Sequence, residues 1–316
     1  MAHARKQTYS LYGKVVFLTG AGGGLGAATA ASLTHRGAHV ALADIDLRAA
    51  ERTARMLPPG QVLPVDCDVT AIDSVYAAVR KVEDQFGLID VAIANAGLMG
   101  RGGTFRTLTT DEVNRVLSVN VSGVLNTVSA TIESVIHNRG QIALVSSVFA
   151  YLNGAGAMPY AMSKAAVEQV GRALAVELAS HGATAMTAYF SLIETGMIRH
   201  GIDEDPHVQA LLSAMPKFIL KRIQPTTAAA VIVNGLEQRR RTVSAPARWR
   251  PVSALRGVLG PLVDARLARD VGVQRALSEL DTRQGGERPC TACLRGTVLR
   301  RNVFRSIRPP KWCGIC

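Results

Sequence analysis

The feature that most limits what this chain can fold into is a short apolar run, Lys14-Val-Val-Phe-Leu-Thr19, that passes directly into Gly20-Ala-Gly-Gly-Gly-Leu-Gly26. An apolar helical segment follows from Ala27 to Arg36 and closes at Gly37. Strand, glycine turn and helix in immediate succession are the opening of a parallel-sheet crossover. Glycines let the backbone approach a pyrophosphate, and the helix start offers it free N–H groups and a positive dipole end. The turn therefore predicts a dinucleotide cleft floored by Thr19, Gly20, Gly24, Leu25 and Gly26. Its spacing, Gly20-x3-Gly24-x-Gly26, lacks the Gly-Lys-Ser/Thr ending of a nucleoside triphosphate loop.

The same alternation continues along the chain. His39 to Ala43 reads as a second strand, Gln61 to Asp66 as a third and Leu88 to Ala94 as a fourth, which runs into Asn95-Ala96-Gly97. Gln141 to Val145 is a fifth, ending at Ser146-Ser147, Thr184 to Phe190 a sixth and Thr242 to Ala245 a candidate seventh. Helical patterns lie between them, including Thr110 to His137 and Thr226 to Gln238. The expected class is α/β, a doubly wound parallel sheet of about seven strands with helices on both faces and ligands at the carboxyl ends of the strands. The expected organisation is an arm over residues 1–12, a catalytic domain over 13–245 and an extension over 246–316. Asp44, at the end of the second strand, is placed to accept hydrogen bonds from an adenosine ribose and to repel a 2′-phosphate, which favours NAD over NADP. Arg48, one helical turn on, leaves NADP open, and a helix N-cap is the structural alternative for Asp44.

On a helix, residues four apart share a face, so the phenol of Tyr160 and the ammonium of Lys164 are predicted to point into one cleft. Tyr160 alone among the tyrosines has a lysine at that distance. A fixed cation beside a phenol favours the phenolate and brings proton transfer toward neutral pH. In isolation such a pair reads more simply as a packed ring and a solvated charge.

Together, Thr19-Gly20-x3-Gly24-x-Gly26, Asp68 after the third strand, Asn95-Ala96-Gly97, Asn120, Ser147 and Tyr160-x3-Lys164, in that order, resemble the short-chain dehydrogenase/reductase family. The resemblance covers about residues 13–245 and implies a Rossmann-like, NAD-binding oxidoreductase. It implies Tyr160 as general acid/base, Lys164 as the group that lowers its pKa and bonds the nicotinamide ribose, and Ser147 as the polariser of the substrate oxygen. Asn120 would hold a water leading to Lys164. Asp68 and Val69 would meet the adenine, and Asn95, Ala96 and Gly97 would line the cleft. Ile193 and Thr195 are the candidates for carboxamide contacts. Two departures stand out: Phe190-Ser191 replaces the family's Pro-Gly after the sixth strand, and about 70 residues lie beyond the family core. The alternatives are an NADP-dependent carbonyl or 3-oxoacyl reductase, and a nucleotide-sensing or membrane-docked protein that keeps the fold without catalysis. Family members form homodimers or homotetramers, which is the expectation here.

Leu98-Met99, Val148 to Leu152, Met158 and the loop from Leu192 to Arg222 are expected to wall the substrate pocket. Their Phe149, Tyr151, Met197, Ile198, Met215 and Phe218 favour a small hydrophobic alcohol or ketone, such as a steroid, terpenoid or lipid-derived carbonyl. Charge separates body from tail. Residues 1–238 hold 19 Lys+Arg against 19 Asp+Glu, and the whole net charge of +12 lies in residues 239–316, with 17 against 5. Within that tail, Trp249 to Leu267 has amphipathic spacing broken near Gly260-Pro261, and is expected to cover the pocket or a subunit face, or to lie on an anionic membrane surface. Cys290-x2-Cys293 and Cys313-x2-Cys316 have the spacing of a four-thiolate zinc site, against which stands a disordered basic tail with free thiols. No bound metal is expected in the catalytic core and no specific nucleic-acid contact. No apolar run is long enough to span a membrane, and the N-terminus carries no secretory pattern, so a cytoplasmic protein is expected, with peripheral membrane contact through the tail as the variant.

Overall fold

Seven apolar runs become strands: β1 (Val15–Thr19), β2 (His39–Asp44), β3 (Val62–Asp66), β4 (Val91–Ala94), β5 (Gln141–Ser147), β6 (Thr184–Phe190) and β7 (Thr242–Ala245). They pair in parallel throughout, in the order β3-β2-β1-β4-β5-β6-β7, in a computed structural model that describes residues 8–213 and 221–282. The helices are α1 (Gly24–Thr34), α2 (Leu47–Ala54), α3 (Ile72–Phe86), α4 (Thr110–Leu117), α5 (Gly123–His137) and α6 (Met158–Glu177). They continue with α7 (Gly196–Ile198), α8 (Pro206–Ser213), α9 (Pro225–Glu237), α10 (Trp249–Leu267) and α11 (Val271–Asp281).

The strands are apolar at most positions, with polar residues mainly toward their ends, because both faces of the sheet are covered. Alternate residues go to opposite sides. Val16, Leu18, Val40, Leu42, Val91 and Ile93 pack against α1 and α9, whereas Val15, Phe17, Ala41, Ala92, Ile142 and Leu144 pack against α3, α5 and α6. Full burial of each large aliphatic side chain contributes about 1.5–3 kcal/mol, so the two layers together hold the sheet. The chain winds outward from β1 to β3, then returns to place β4 on the other side of β1. That reversal opens a crevice above the carboxyl ends of β1 and β4. A π-helical turn over Ser118–Ser122 joins α4 to α5 and carries Asn120.

The extension is tied to the substrate side of this frame. Arg256 of α10 forms a fork with Glu168 of α6, at 2.8 and 2.5 Å, and Asn153 donates to Asp264 at 2.9 Å. Helix α11 buries Val273, Ala276 and Leu280 against Leu211 of α8. Its last residue, Asp281, pairs with Arg106 at 2.8 Å and accepts from the Thr104 hydroxyl. The expected break near Gly260-Pro261 is corrected: α10 runs through Pro261. A proline there frees the carbonyl of the residue four back, which is the exposed Gly257, where water serves it. The four tail cysteines, the expected disorder after α11, and Met215 and Phe218 lie outside the described residues.

Candidate active site

The crevice is a cavity of about 790 Å³ at the carboxyl ends of β1, β2, β4, β5 and β6. Its nucleotide half is built on the glycine turn. Gly20 has φ +66°, and a Cβ there would lie 2.8 Å from the Ala96 Cα. At Gly26 a Cβ would come within 2.0 Å of the Gly20 carbonyl oxygen, so only glycine allows α1 to start this close to β1. The start of α1 has no side-chain cap and no acidic residue in its first turn. Its N–H groups are therefore available to an anion. Asp44 is held at the end of β2 by the N–H groups of Gly22 (2.7 Å) and Asp46 (3.0 Å). It stands outside α2, whose N-cap is Asp46.

Across the crevice, the Asn95 amide donates to the carbonyls of Thr19 (2.9 Å) and Gly20 (3.1 Å). The Thr19 hydroxyl in turn accepts from the N–H groups of Asn95 and Ala96, each at 3.1 Å. Asp68 binds its own turn through the Thr70 N–H and hydroxyl, and the Val69 carbonyl accepts from Asn126 at 2.8 Å. Thr195, at the start of α7, lies 3.1 Å from where a Gly24 Cβ would stand, so it closes over the glycine turn. Ile193 bridges to Ile223 beside it. An uncapped helix start, a fixed carboxylate on the adjacent strand and a cavity of this size fit a nicotinamide dinucleotide, with Gly20 to Gly26 on its pyrophosphate, Asp44 on its adenosine ribose and Asn95 to Gly97 along its length.

The reacting half is built where β5 meets α6. Ser147 ends β5 opposite Phe190 of β6, and its hydroxyl donates to the Phe190 carbonyl at 3.2 Å while accepting the Phe149 N–H at 3.3 Å. The same hydroxyl stands near enough to the Tyr160 phenol to favour its ionised form. Phe149 packs edge-on against the Tyr160 ring, with centroids 5.8 Å apart. Lys164 is buried; its ammonium donates to the Val145 carbonyl at 2.9 Å and stands 5.6 Å from the Tyr160 ring centroid. Asn120 is fully buried, donating to the Leu98 carbonyl (2.8 Å) and the Ser163 hydroxyl (3.0 Å) and accepting the Leu98 N–H at 2.8 Å. A Cβ on Gly97 would lie 3.2 Å from Asn120 Oδ1 and 3.6 Å from Lys164 Nζ, so this glycine keeps open a space shared by the two.

The electrostatics differ from the simple expectation for the pair. Burial pushes the Tyr160 phenol up, and the group that pulls it back is the Ser147 hydroxyl, not Lys164. Burial lowers the Lys164 ammonium from 10.5 to about 8. The protein alone therefore keeps the phenol protonated and the lysine half-charged near pH 8, because desolvation disfavours charge on both.

The sequence profile of the short chain dehydrogenase family matches residues 14–205, well over half of the chain. The chain is a short-chain dehydrogenase/reductase. It is 36% identical over 184 residues to the short-chain dehydrogenase reductase ATA1 of Arabidopsis thaliana, a match spanning 58% of this chain and 65% of that protein. It is 31% identical over 210 residues to the 2-(R)-hydroxypropyl-CoM dehydrogenase of Xanthobacter autotrophicus, covering 65% of this chain and 84% of that one. A crystal structure of a 3-ketoacyl-(acyl-carrier-protein) reductase from Brucella melitensis in complex with NADH superposes with a TM-score of 0.66 at 25% identity, over 75% of this chain and 98% of that chain.

As a member of this family the protein is an oxidoreductase of CH–OH groups that uses a nicotinamide cofactor. The structure brings together Ser147, Tyr160, Lys164 and Asn120 around one end of the cavity, and Gly20 to Gly26, Asp44, Asp68, Val69, Asn95 to Gly97, Ile193 and Thr195 around the rest. Leu98, Phe190, Met197 and Ile198 line it too, while Tyr151 and Leu152 instead face a separate cavity of about 270 Å³ against α10. Three contributors carried no usable sequence signal. Ser163 joins the Tyr160 carbonyl (2.7 Å) to Asn120, and the Val145 carbonyl holds Lys164. The buried Ser191 hydroxyl, on the cavity wall, has no hydrogen-bond partner among the described residues. Only the departure at Phe190-Ser191 marked that last position in the sequence.

Proposed function

We propose that this protein is an NAD-dependent dehydrogenase that interconverts a secondary alcohol and a ketone on a hydrophobic substrate. The observation that carries the reading is that Ser147, Tyr160 and Lys164 line one dinucleotide-sized cavity together, with the Lys164 ammonium 5.6 Å from the phenol ring. NAD, when bound, accepts or supplies the hydride. Tyr160 gives its proton to the carbonyl oxygen on reduction and takes it back on oxidation. Ser147 has a single O–H, which turns from the Phe190 carbonyl to the same oxygen when substrate is present, and two hydroxyls converging on one atom stabilise the charge that develops there. Lys164 would hold the nicotinamide ribose and, when charged, place positive charge beside the phenol, and the space left by Gly97 between Asn120 and Lys164 would admit a water to carry the proton onward.

NAD is preferred to NADP because Asp44 presents a fixed carboxylate where a 2′-phosphate would sit. Hydrophobicity of the substrate is supported by Leu98, Phe190, Met197 and Ile198 on the cavity wall. The related proteins are named for a hydroxypropyl conjugate and a ketoacyl thioester. These share a secondary alcohol or ketone and differ elsewhere, so the functional group is the firmer part of the reading. Titration with NAD and NADP, followed by a panel of hydrophobic and polar alcohols and ketones, tests it. Tyr160→Phe is expected to cost about 10²–10⁴-fold in turnover while leaving NAD affinity within a few-fold. Turnover confined to small polar polyols would overturn the substrate class, and an active Tyr160→Phe variant the mechanism.

A further inference from the structure

Helix α10 turns its apolar stripe outward. Leu255, Val258, Leu259, Leu262 and Val263 follow an i, i+3, i+4, i+7, i+8 pattern and so share one face, and they are 54, 70, 37, 65 and 44% exposed. A surface helix ordinarily buries such a stripe against its own core. Here the rotation of the helix is set by Arg256, which grips Glu168, and Asp264, which accepts from Asn153; Leu259 and Val263 edge the small cavity beside them, and Leu255, Val258 and Leu262 are left toward solvent. At 3.6 residues per turn, Arg266 continues the apolar face in the last turn; it is exposed, as are Arg250 in the first turn and Arg269 just past the helix end. Among the described residues from 239 onward, nine arginines stand against four carboxylates, and the sequence after residue 282 adds to the same sign.

We propose that α10 is a membrane-docking helix that lies in the interface of an anionic lipid bilayer. Leu255, Val258 and Leu262 enter the acyl boundary, with Leu259 and Val263 at its edge, and the arginines at and just past the helix ends extend along their stems to the headgroup phosphates. Charge decides between this occupant and a second copy of the chain. Two copies meeting through this face would bring two strongly basic segments together, whereas an anionic surface attracts each of them. No helix among the described residues is long and apolar enough to cross a membrane, so the contact is interfacial. The proposal stands independently of the substrate, because it rests on residues outside the main cavity.

The test is co-sedimentation of the full chain with vesicles of phosphatidylcholine alone or with about 30% phosphatidylserine, the anionic fraction supplying the surface potential. Binding is expected to the anionic vesicles and to weaken as salt rises. Val258→Asp with Leu262→Asp should lower the partition coefficient at least about tenfold, since both side chains leave the acyl boundary, and should leave the thermal midpoint unchanged. Arg266→Gln with Arg269→Gln, which alters no buried group, should weaken binding to anionic vesicles by a comparable factor. Equal sedimentation of wild type with neutral and anionic vesicles, or of wild type and both double variants, overturns the proposal. So does a wild-type chain that ignores vesicles and self-associates in analytical ultracentrifugation while Val258→Asp with Leu262→Asp is monomeric, which would assign the stripe to a second copy.

Discussion

Lys164→Met removes a buried charge while keeping an unbranched side chain of similar length, and the structure sets the size of the effect. In the folded protein the ammonium titrates at about 8, because burial disfavours its charge, whereas an unfolded chain keeps a value near 10.5. Between those values the unfolded state binds more protons, so this group makes the wild type more stable as pH rises through the window, and below pH 8 its burial is a standing cost. That cost is about 3 kcal/mol at pH 6.5 and falls to about 1 kcal/mol at pH 9.5. Losing the bond to the Val145 carbonyl subtracts about 1–3 kcal/mol from the variant, equally at both values. The stability of the variant relative to wild type should therefore drop by about 2 kcal/mol on going from pH 6.5 to 9.5, or about 4–8 °C in the relative midpoint for a chain of this size. Circular-dichroism melts of both proteins without cofactor read this directly, beside turnover, which the variant loses. A relative stability that is flat with pH would refute the argument, since it would mean that the ammonium is as well solvated in the folded state as in the unfolded one.

Asp44→Ala removes the acceptor for the Gly22 N–H and the charge facing the ribose. NAD affinity is expected to fall about tenfold and the NAD-to-NADP ratio to fall further, read by fluorescence titration of both cofactors. Leu280→Asp places a carboxylate in the fully buried contact between α11 and α8. Hydrogen exchange should rise over residues 206–213 and KM for the ketone should increase several-fold while NAD affinity holds, and a loss of NAD affinity of the same size would show instead that α11 supports the whole fold.

Much of this molecule was legible because its sheet is covered on both sides. Runs dominated by apolar and β-branched residues, such as Thr184 to Phe190 and Thr242 to Ala245, coincide with β6 and β7, and the motifs at the carboxyl ends of β1, β2, β4, β5 and β6 meet in one crevice. Boundaries drifted where polar neighbours extend a run: the third and fourth strands begin at Val62 and Val91, later than their apolar composition indicates. The part of the site that the sequence did not reveal consists of bonds to main-chain carbonyls. The Val145 oxygen that holds Lys164 and the Phe190 oxygen that orients Ser147 are features of strand register, to which the identity of the side chain contributes nothing. The sign of the Tyr160 shift was hidden for a related reason, since helical spacing reports that two groups share a face but not how much water surrounds them. In the extension, Pro261 signals a stop by its own chemistry and is overruled because the carbonyl it frees is in water.

The ion pair between Arg106 and Asp281 joins positions 175 residues apart. On a ribosome, β1 to β6 and the glycine turn have all emerged well before α11 is made, so the nucleotide end of the cleft is able to assemble while the opposite end still lacks its outer support. A chain released between β7 and α11 would thus carry the parts for gripping a dinucleotide without the brace behind α8.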